Sequence, residues 1–172
     1  MTGEPDLWSV AATVIAACAL FATIWQAHLT RVHNQLTLRP IMVWERRRSI
    51  TDAGVELVYS IKNHGVGPAI IRDRFFLVNG QRFNASTTHG DEVLELSQAL
   101  LRNKIPYFLR EHGLPGKRTT IPQNGEHVIV RLHFPAVVAP QVDLVLSQLD
   151  EVIFCLEYES LYKKYFEMKE AV

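Results

Sequence analysis

Three groups of residues in this chain have types and spacings that chemistry could use. The first is Lys62-Asn-His-Gly-Val-Gly-Pro-Ala69, where two glycines and a proline follow an apolar run. Such a loop could cradle an anion on its backbone N–H groups. A Walker loop, however, needs G-x-x-x-x-G-K-[ST], and the dinucleotide fingerprint needs G-x-G-x-x-G opening a helix. Neither is present, and the β-branched pair Ile70-Ile71 follows. Asn63, Gly65, Gly67 and Pro68 are therefore expected to form a structural turn or bulge between two strands. The glycines would supply positive φ, and Pro68 would fix the entry into the next strand.

The second group is the histidines. His127 and His133 share a predicted strand face about 20 Å apart, too far to hold one metal ion. His28 and His33 are five residues apart, off the i, i+4 spacing of a helical metal pair. The third is Glu157 and Glu159, about 7 Å apart on one strand face; a solvated edge is expected rather than an acid pair. No serine has the G-x-S-x-G context. The pattern assigns no catalytic, cofactor-binding or metal-ligating residue.

The elements that must position these groups begin with an unusual segment. From Leu7 to Thr30 there is no Asp, Glu, Lys or Arg. As a helix, these residues cover about 36 Å, against a hydrocarbon core of about 30 Å. Trp8 and Trp25 would sit about 25 Å apart, a spacing suited to two interfacial anchors, with Arg31 just beyond. A signal peptide would open on basic residues and carry a shorter apolar core with a small-residue cleavage site; Glu4 and Asp6 open this one. The reading is a retained transmembrane helix at 7–30 with an extracytoplasmic tail at 1–6 and a juxtamembrane extension at 31–39. Arg31, Arg39, Arg46, Arg47 and Arg48 follow the run and no Lys or Arg precedes it. The positive-inside rule then puts the C-terminal domain in the cytoplasm. Within the run, Ser9, Thr13 and Ala17 form one stripe and Ala12, Ala16 and Ala19 another. Such stripes let helices approach closely in lipid, so a homo-oligomer is one expectation.

The remaining residues, 40–172, suffice for one domain with its own core. Lys+Arg and Asp+Glu are both 18, a balance that argues against a nucleic-acid partner. Cys18 and Cys155 are the two cysteines, which is no disulfide framework and suits a reducing compartment.

After Pro40 the periodicity becomes that of strands. Residues 41–44 read as a strand ending at Arg46–Arg48. Val55, Leu57, Tyr59 and Ile61 share one face, with Glu56, Ser60 and Lys62 on the other. Asn79-Gly80 predicts a type I′ hairpin. In 127–134, Val128, Val130, Leu132 and Phe134 are expected inward, and His127, Ile129, Arg131 and His133 outward. Residues 152–158 and 164–168 read as a last antiparallel pair. A helix is expected at 88–103, opened by Thr88-x-x-Asp91, within a helical insertion at 88–112. A second, short helix is expected from Pro140, carrying Val142, Val145, Leu146 and Leu149. The fold expected is mainly β (α+β): a transmembrane helix followed by an antiparallel, immunoglobulin-like β-sandwich with a helical insertion, with an open α+β sheet as the alternative that the long gaps between strands allow.

His33-Asn-Gln-Leu-Thr-Leu-Arg-Pro40, Asn63-His-Gly-Val-Gly-Pro-Ala69 and Tyr158-Glu-Ser-Leu-Tyr162-Lys-Lys-Tyr165 together resemble a group of bacterial single-pass membrane proteins. These have an N-terminal transmembrane helix and an N-x-G-x-G-P-A motif in a cytosolic β-rich domain. Lys163 departs from the pattern, standing where a glycine is common. The resemblance covers most of the chain and implies an inner-membrane location. The group has no assigned activity, so the resemblance implies no catalytic residues. Two functions are expected from the whole: a non-enzymatic, membrane-anchored binding or sensing module, with the lipid bilayer and an unknown protein or small molecule as partners, or a small oligomeric membrane effector of defence type.

Overall fold

A computed structural model of the chain describes residues 6–84, 92–101, 105–143, 146 and 152–172. They fall into two compact units, Met1–Thr37 and Leu38–Val172. The first is helix α1, Leu7–Thr37, of 31 residues, with no residue buried. It is long and apolar enough to cross a membrane. Its threonine hydroxyls are satisfied within the helix. The hydroxyls of Thr13, Thr23, Thr30 and Thr37 donate to the carbonyls of Ser9, Ala19, Gln26 and His33, four residues back. That arrangement suits a segment without water around it. The helix ends at Thr37, two residues short of the 31–39 extension, because Pro40 follows closely.

The second unit is built of antiparallel strands. They are β1 Met42–Thr51, β2 Gly54–Asn63, β3 Ala69–Val78, β4 Gln81–Arg82, β5 Phe108–His112, β6 Thr120–Ile121, β7 Glu126–Pro135, β8 Val152–Glu159 and β9 Tyr165–Ala171. One sheet runs β1-β2-β7-β5 and the other β4-β3-β8-β9, with β6 beside the start of β3. Helix α2, Glu92–Leu101, stands between β4 and β5 in the chain. Buried side chains of both sheets meet in one cluster: Ile61 and Ile129 from the first, Ile71, Phe154 and Leu156 from the second. A further cluster gathers Leu57, Tyr59, Leu132 and Phe134 with Leu101 of α2.

The Asn79-Gly80 hairpin forms as expected, with Leu77 opposite Arg82 and Val78 opposite Gln81. Both turn residues have positive φ, 51° and 76°. The last antiparallel pair also forms, from Ile153 opposite Ala171 to Glu159 opposite Tyr165.

Other expectations are corrected. The first strand does not stop at the arginines; β1 continues through Arg46–Arg48 and turns at Asp52-Ala53 into β2. These arginines lie on a sheet edge, where alternation is a weak guide because both faces meet solvent. Ser60 is on the outward side of β2 yet fully buried.

In β7, Ile129 is buried and Val128 and Val130 are only half-buried. The cause is a bulge: Tyr59 lies opposite Val130 and Ser60 opposite Val128. Ile129 is thus the extra residue, and the inside–outside phase flips there. Leu132 and Phe134 are buried as expected. Arg131 is half-buried between Glu56 and Glu111 rather than free in solvent.

The insertion at 88–112 is not helical throughout. Val93, Leu96 and Leu101 bury one side of α2, but residues 108–112 are β5, paired with β7. A short 3-10 helix, Ala136–Gln141, precedes the expected second helix and contains Pro140. Val142 is buried and Leu146 packs on the second cluster. Val145, Leu149 and the Thr88-x-x-Asp91 cap lie outside the described residues.

Candidate functional site

The motif residues form a hub, and its centre is Asn63. This side chain is fully buried at the end of β2 and makes four hydrogen bonds. Its amide donates to the carbonyls of Gly67 at 2.8 Å and Ile121 at 3.1 Å. Its carbonyl oxygen accepts from the backbone N–H of Ile41 at 3.2 Å and of Gly65 at 3.0 Å. Its backbone adds bonds to Gly125 and Asn124. One asparagine therefore ties together the segment that enters the domain, the loop between the two sheets, β6 and the loop before β7.

The glycines act through close approach rather than through positive φ. The described glycines with positive φ are Gly54 and Gly80. A side chain on Gly65 would run into the backbone of Arg39 and Ile41, and one on Gly67 into the Leu38 carbonyl. The loop is packed directly on the backbone of residues 38–41, which leaves no cradle for an anion. Pro68 is half-buried and stands one residue before β3.

Around this end of the domain the second sheet supplies a polar cluster. Glu159 is buried and takes a 2.6 Å ion pair from Arg72, so it is not the solvated edge expected for Glu157 and Glu159. Arg72 is the bulged residue between Ile71 and Asp73, which turns it toward Glu159. The hydrogen bond to Glu159 holds the Arg72 guanidinium above its ordinary pKa, outweighing the cost of burial. Asp73, one residue on, is the reverse. Burial pushes its pKa up, but the hydrogen bond from Lys117, the Arg74 backbone and the charge of Arg82 together hold it low. The turn after Glu159 carries Lys163 at φ 59°, the left-handed region that favours glycine.

Beside the core, an apolar cavity of about 40 Å³ lies between Trp44, Tyr59, Phe76, Ile129 and α2. Trp44 stacks on Phe154 at 4.8 Å, and its indole N–H is buried with no acceptor among the described residues. A space of this size admits a water molecule or two.

The predicted membrane residues all sit on α1. Trp8 and Trp25 are exposed, and Trp25 lies 6.5 Å from the His28 ring. Arg31 is exposed on the same helix. Ser9, Ala12, Thr13 and Ala16 are exposed, with Ser9 donating to the Asp6 carbonyl. Among the described residues, no group of three or more His, Cys, Asp or Glu is placed to hold a metal ion.

Sequence reasoning found the motif but missed Asn63 as its hub. The available signal was the asparagine itself, whose side chain readily bonds backbone two residues on. The long-range partners Ile41 and Ile121 had no sequence signal. No protein-family model, no curated protein and no solved structure matches this chain.

Proposed function

We propose that the protein is a non-enzymatic binding or sensing module anchored in the bacterial inner membrane by α1, N-terminus outside and the β domain in the cytoplasm. The observation that carries this reading is the contrast in burial: α1 buries nothing, while the domain has buried cores of its own. An apolar helix with no protein surface to cover it needs lipid. The arginines after the helix favour the inward orientation.

Two features support a binding scaffold over an enzyme. The polar residues singled out by motif are spent on holding the fold, Asn63 on backbone and Glu159 on Arg72. The strand orders β1-β2-β7-β5 and β4-β3-β8-β9 also support an immunoglobulin-like sandwich, a layout that presents loops and edges to partners. The resemblance to bacterial single-pass membrane proteins points the same way.

The oligomeric effector is the second reading. It is favoured by the exposure of Ser9, Ala12, Thr13 and Ala16, open to a second copy of the helix.

The orientation is tested by fusing alkaline phosphatase and a green fluorescent reporter, separately, after Val172. Bright fluorescence with inactive phosphatase is expected; the opposite pair would overturn the assignment.

A further inference from the structure

The end of the domain where the chain enters from α1 has a surface of its own composition. The register places the start of β1, the end of β2, the start of β3, the end of β8 and the start of β9 together there. Five apolar or aromatic side chains stand exposed on the connecting segments and at the start of β9: Ile41 at 48%, Val66 at 49%, Leu161 at 57%, Tyr162 at 39% and Tyr165 at 68%. Three cations are interleaved with them. Arg39 lies 5.1 Å over the Phe166 ring, and the Lys164 ammonium lies 6.0 Å from the same ring. Lys163 occupies its glycine-like φ in the turn between.

Among the described residues, Arg39, Lys163 and Lys164 form no ion pair. Of the neighbouring carboxylates, Glu159 is engaged by Arg72 and Glu167 by Lys169, while Glu157 is exposed beside Tyr165. The turn keeps a lysine at a backbone conformation that costs a side chain strain, in the middle of an exposed aromatic and basic patch.

We propose that this end is a docking surface for an anionic lipid bilayer. Leu161, Tyr162 and Tyr165 enter the headgroup layer, and Arg39, Lys163 and Lys164 meet lipid phosphates. Aromatic rings with a polar tip prefer that layer, and basic side chains gain from its negative potential. The inference rests on the reading of α1 as a membrane span. Arg39 is two residues past Thr37, at most about 7 Å of extended chain. Residues 31–37 add about 10 Å of helix, against a headgroup layer of about 5–8 Å on each side. The surface is thus tethered within reach of lipid. Three cations suffice where a freely diffusing protein would need more, because the tether supplies a high local concentration.

The test uses the full chain in lipid nanodiscs. A fluorophore is placed at Leu161→Cys, or at Asp52→Cys in the β1–β2 hairpin at the other end, in a Cys18→Ser background. Quenching by nitroxide-labelled headgroups is then read. Strong quenching is expected at 161 in discs containing phosphatidylglycerol, with weak quenching at 161 in pure phosphatidylcholine and at 52 in both. Lys163→Gly should lower the ratio of docked to undocked domain about fivefold at low salt. Because this change also relieves strain, the thermal midpoint should hold or rise, so the loss cannot be ascribed to unfolding. Equal quenching at 161 and 52, or quenching indifferent to lipid charge, would overturn the proposal. Energy transfer between labels on two copies without headgroup quenching would assign the face to self-association and overturn it as well. A chain that fails to enter the discs at all would instead overturn the anchor reading, and this proposal with it.

Discussion

Helix α1 and strand β2 are both rich in aliphatic and aromatic residues, and they meet opposite fates. Along α1, Val14, Ile15, Leu20, Phe21 and Ile24 are all more than half exposed. Along β2, Val55, Leu57, Tyr59 and Ile61 are each at 1% or less. Hydrophobicity alone does not bury a side chain; a complementary surface does. β2 lies between β1 and β7 and shares a buried cluster with residues of the second sheet, whereas α1 buries none of its residues. The difference separates two kinds of stability. The domain is held by packing and hydrogen bonds; on the proposed reading, the helix is held by lipid. Changes in one should leave the other untouched.

The largest break in that comparison is expected at Asn63. Asn63→Ala removes four hydrogen bonds and strands their buried backbone partners. Each stranded group costs about 1–3 kcal/mol, so the total should reach about 4 kcal/mol or more. Chemical denaturation followed by circular dichroism would read it. Leu20→Ala in α1 should leave the same domain transition within about 0.5 kcal/mol. Equal effects would erase the distinction.

Next comes the bulge in β7. Ile129→Ala should cost about 2–4 kcal/mol, and Val128→Ala clearly less, because only the former empties a fully buried site. The reverse order would mean the strand follows its simple alternation in solution.

A smaller effect concerns pH. The native Asp73 pKa is depressed, so its contribution to stability is present above the unfolded-state pKa and is lost as pH falls through the native one. Asp73→Asn should therefore flatten the acid side of the stability curve, by less than about 1 kcal/mol because the ion pairs are partly exposed. An acid limb as steep as that of wild type would remove Asp73 from the account.

The smallest is a gain. Lys163→Gly should stabilise the domain by about 0.5–1 kcal/mol by relieving its positive φ. A lower thermal midpoint would contradict this.

These sites also mark what was legible in the chain. The uncharged run announced α1, because 24 residues without Asp, Glu, Lys or Arg leave a helix no polar face. Asn79-Gly80 announced its hairpin, because few residues accept two successive positive φ angles. The closing pair β8–β9 was legible as two strand-like runs around Ser160–Tyr162. β5 and β6 were not, since a strand such as Phe108–His112, with Arg110, Glu111 and His112 among its five residues, has no apolar alternation. The bulge at Ile129 could not be read, because it depends on the register with β2. The hub was half-legible: Asn63, Gly65, Gly67 and Pro68 stood out by type. The reason for the glycines lay with Leu38–Ile41, more than 20 residues away in sequence.

The proposed contrast between a lipid-held helix and a packed domain is tested most directly by extraction. Membranes carrying the full chain are washed with alkaline carbonate, beside membranes from cells expressing Val14→Arg/Phe21→Arg, and the domain's melting transition is recorded for both. Wild type should stay in the membrane pellet and the double variant should move to the soluble fraction, with the same melting transition. Release of wild type by carbonate, or a domain that melts with the loss of the anchor, would contradict the account.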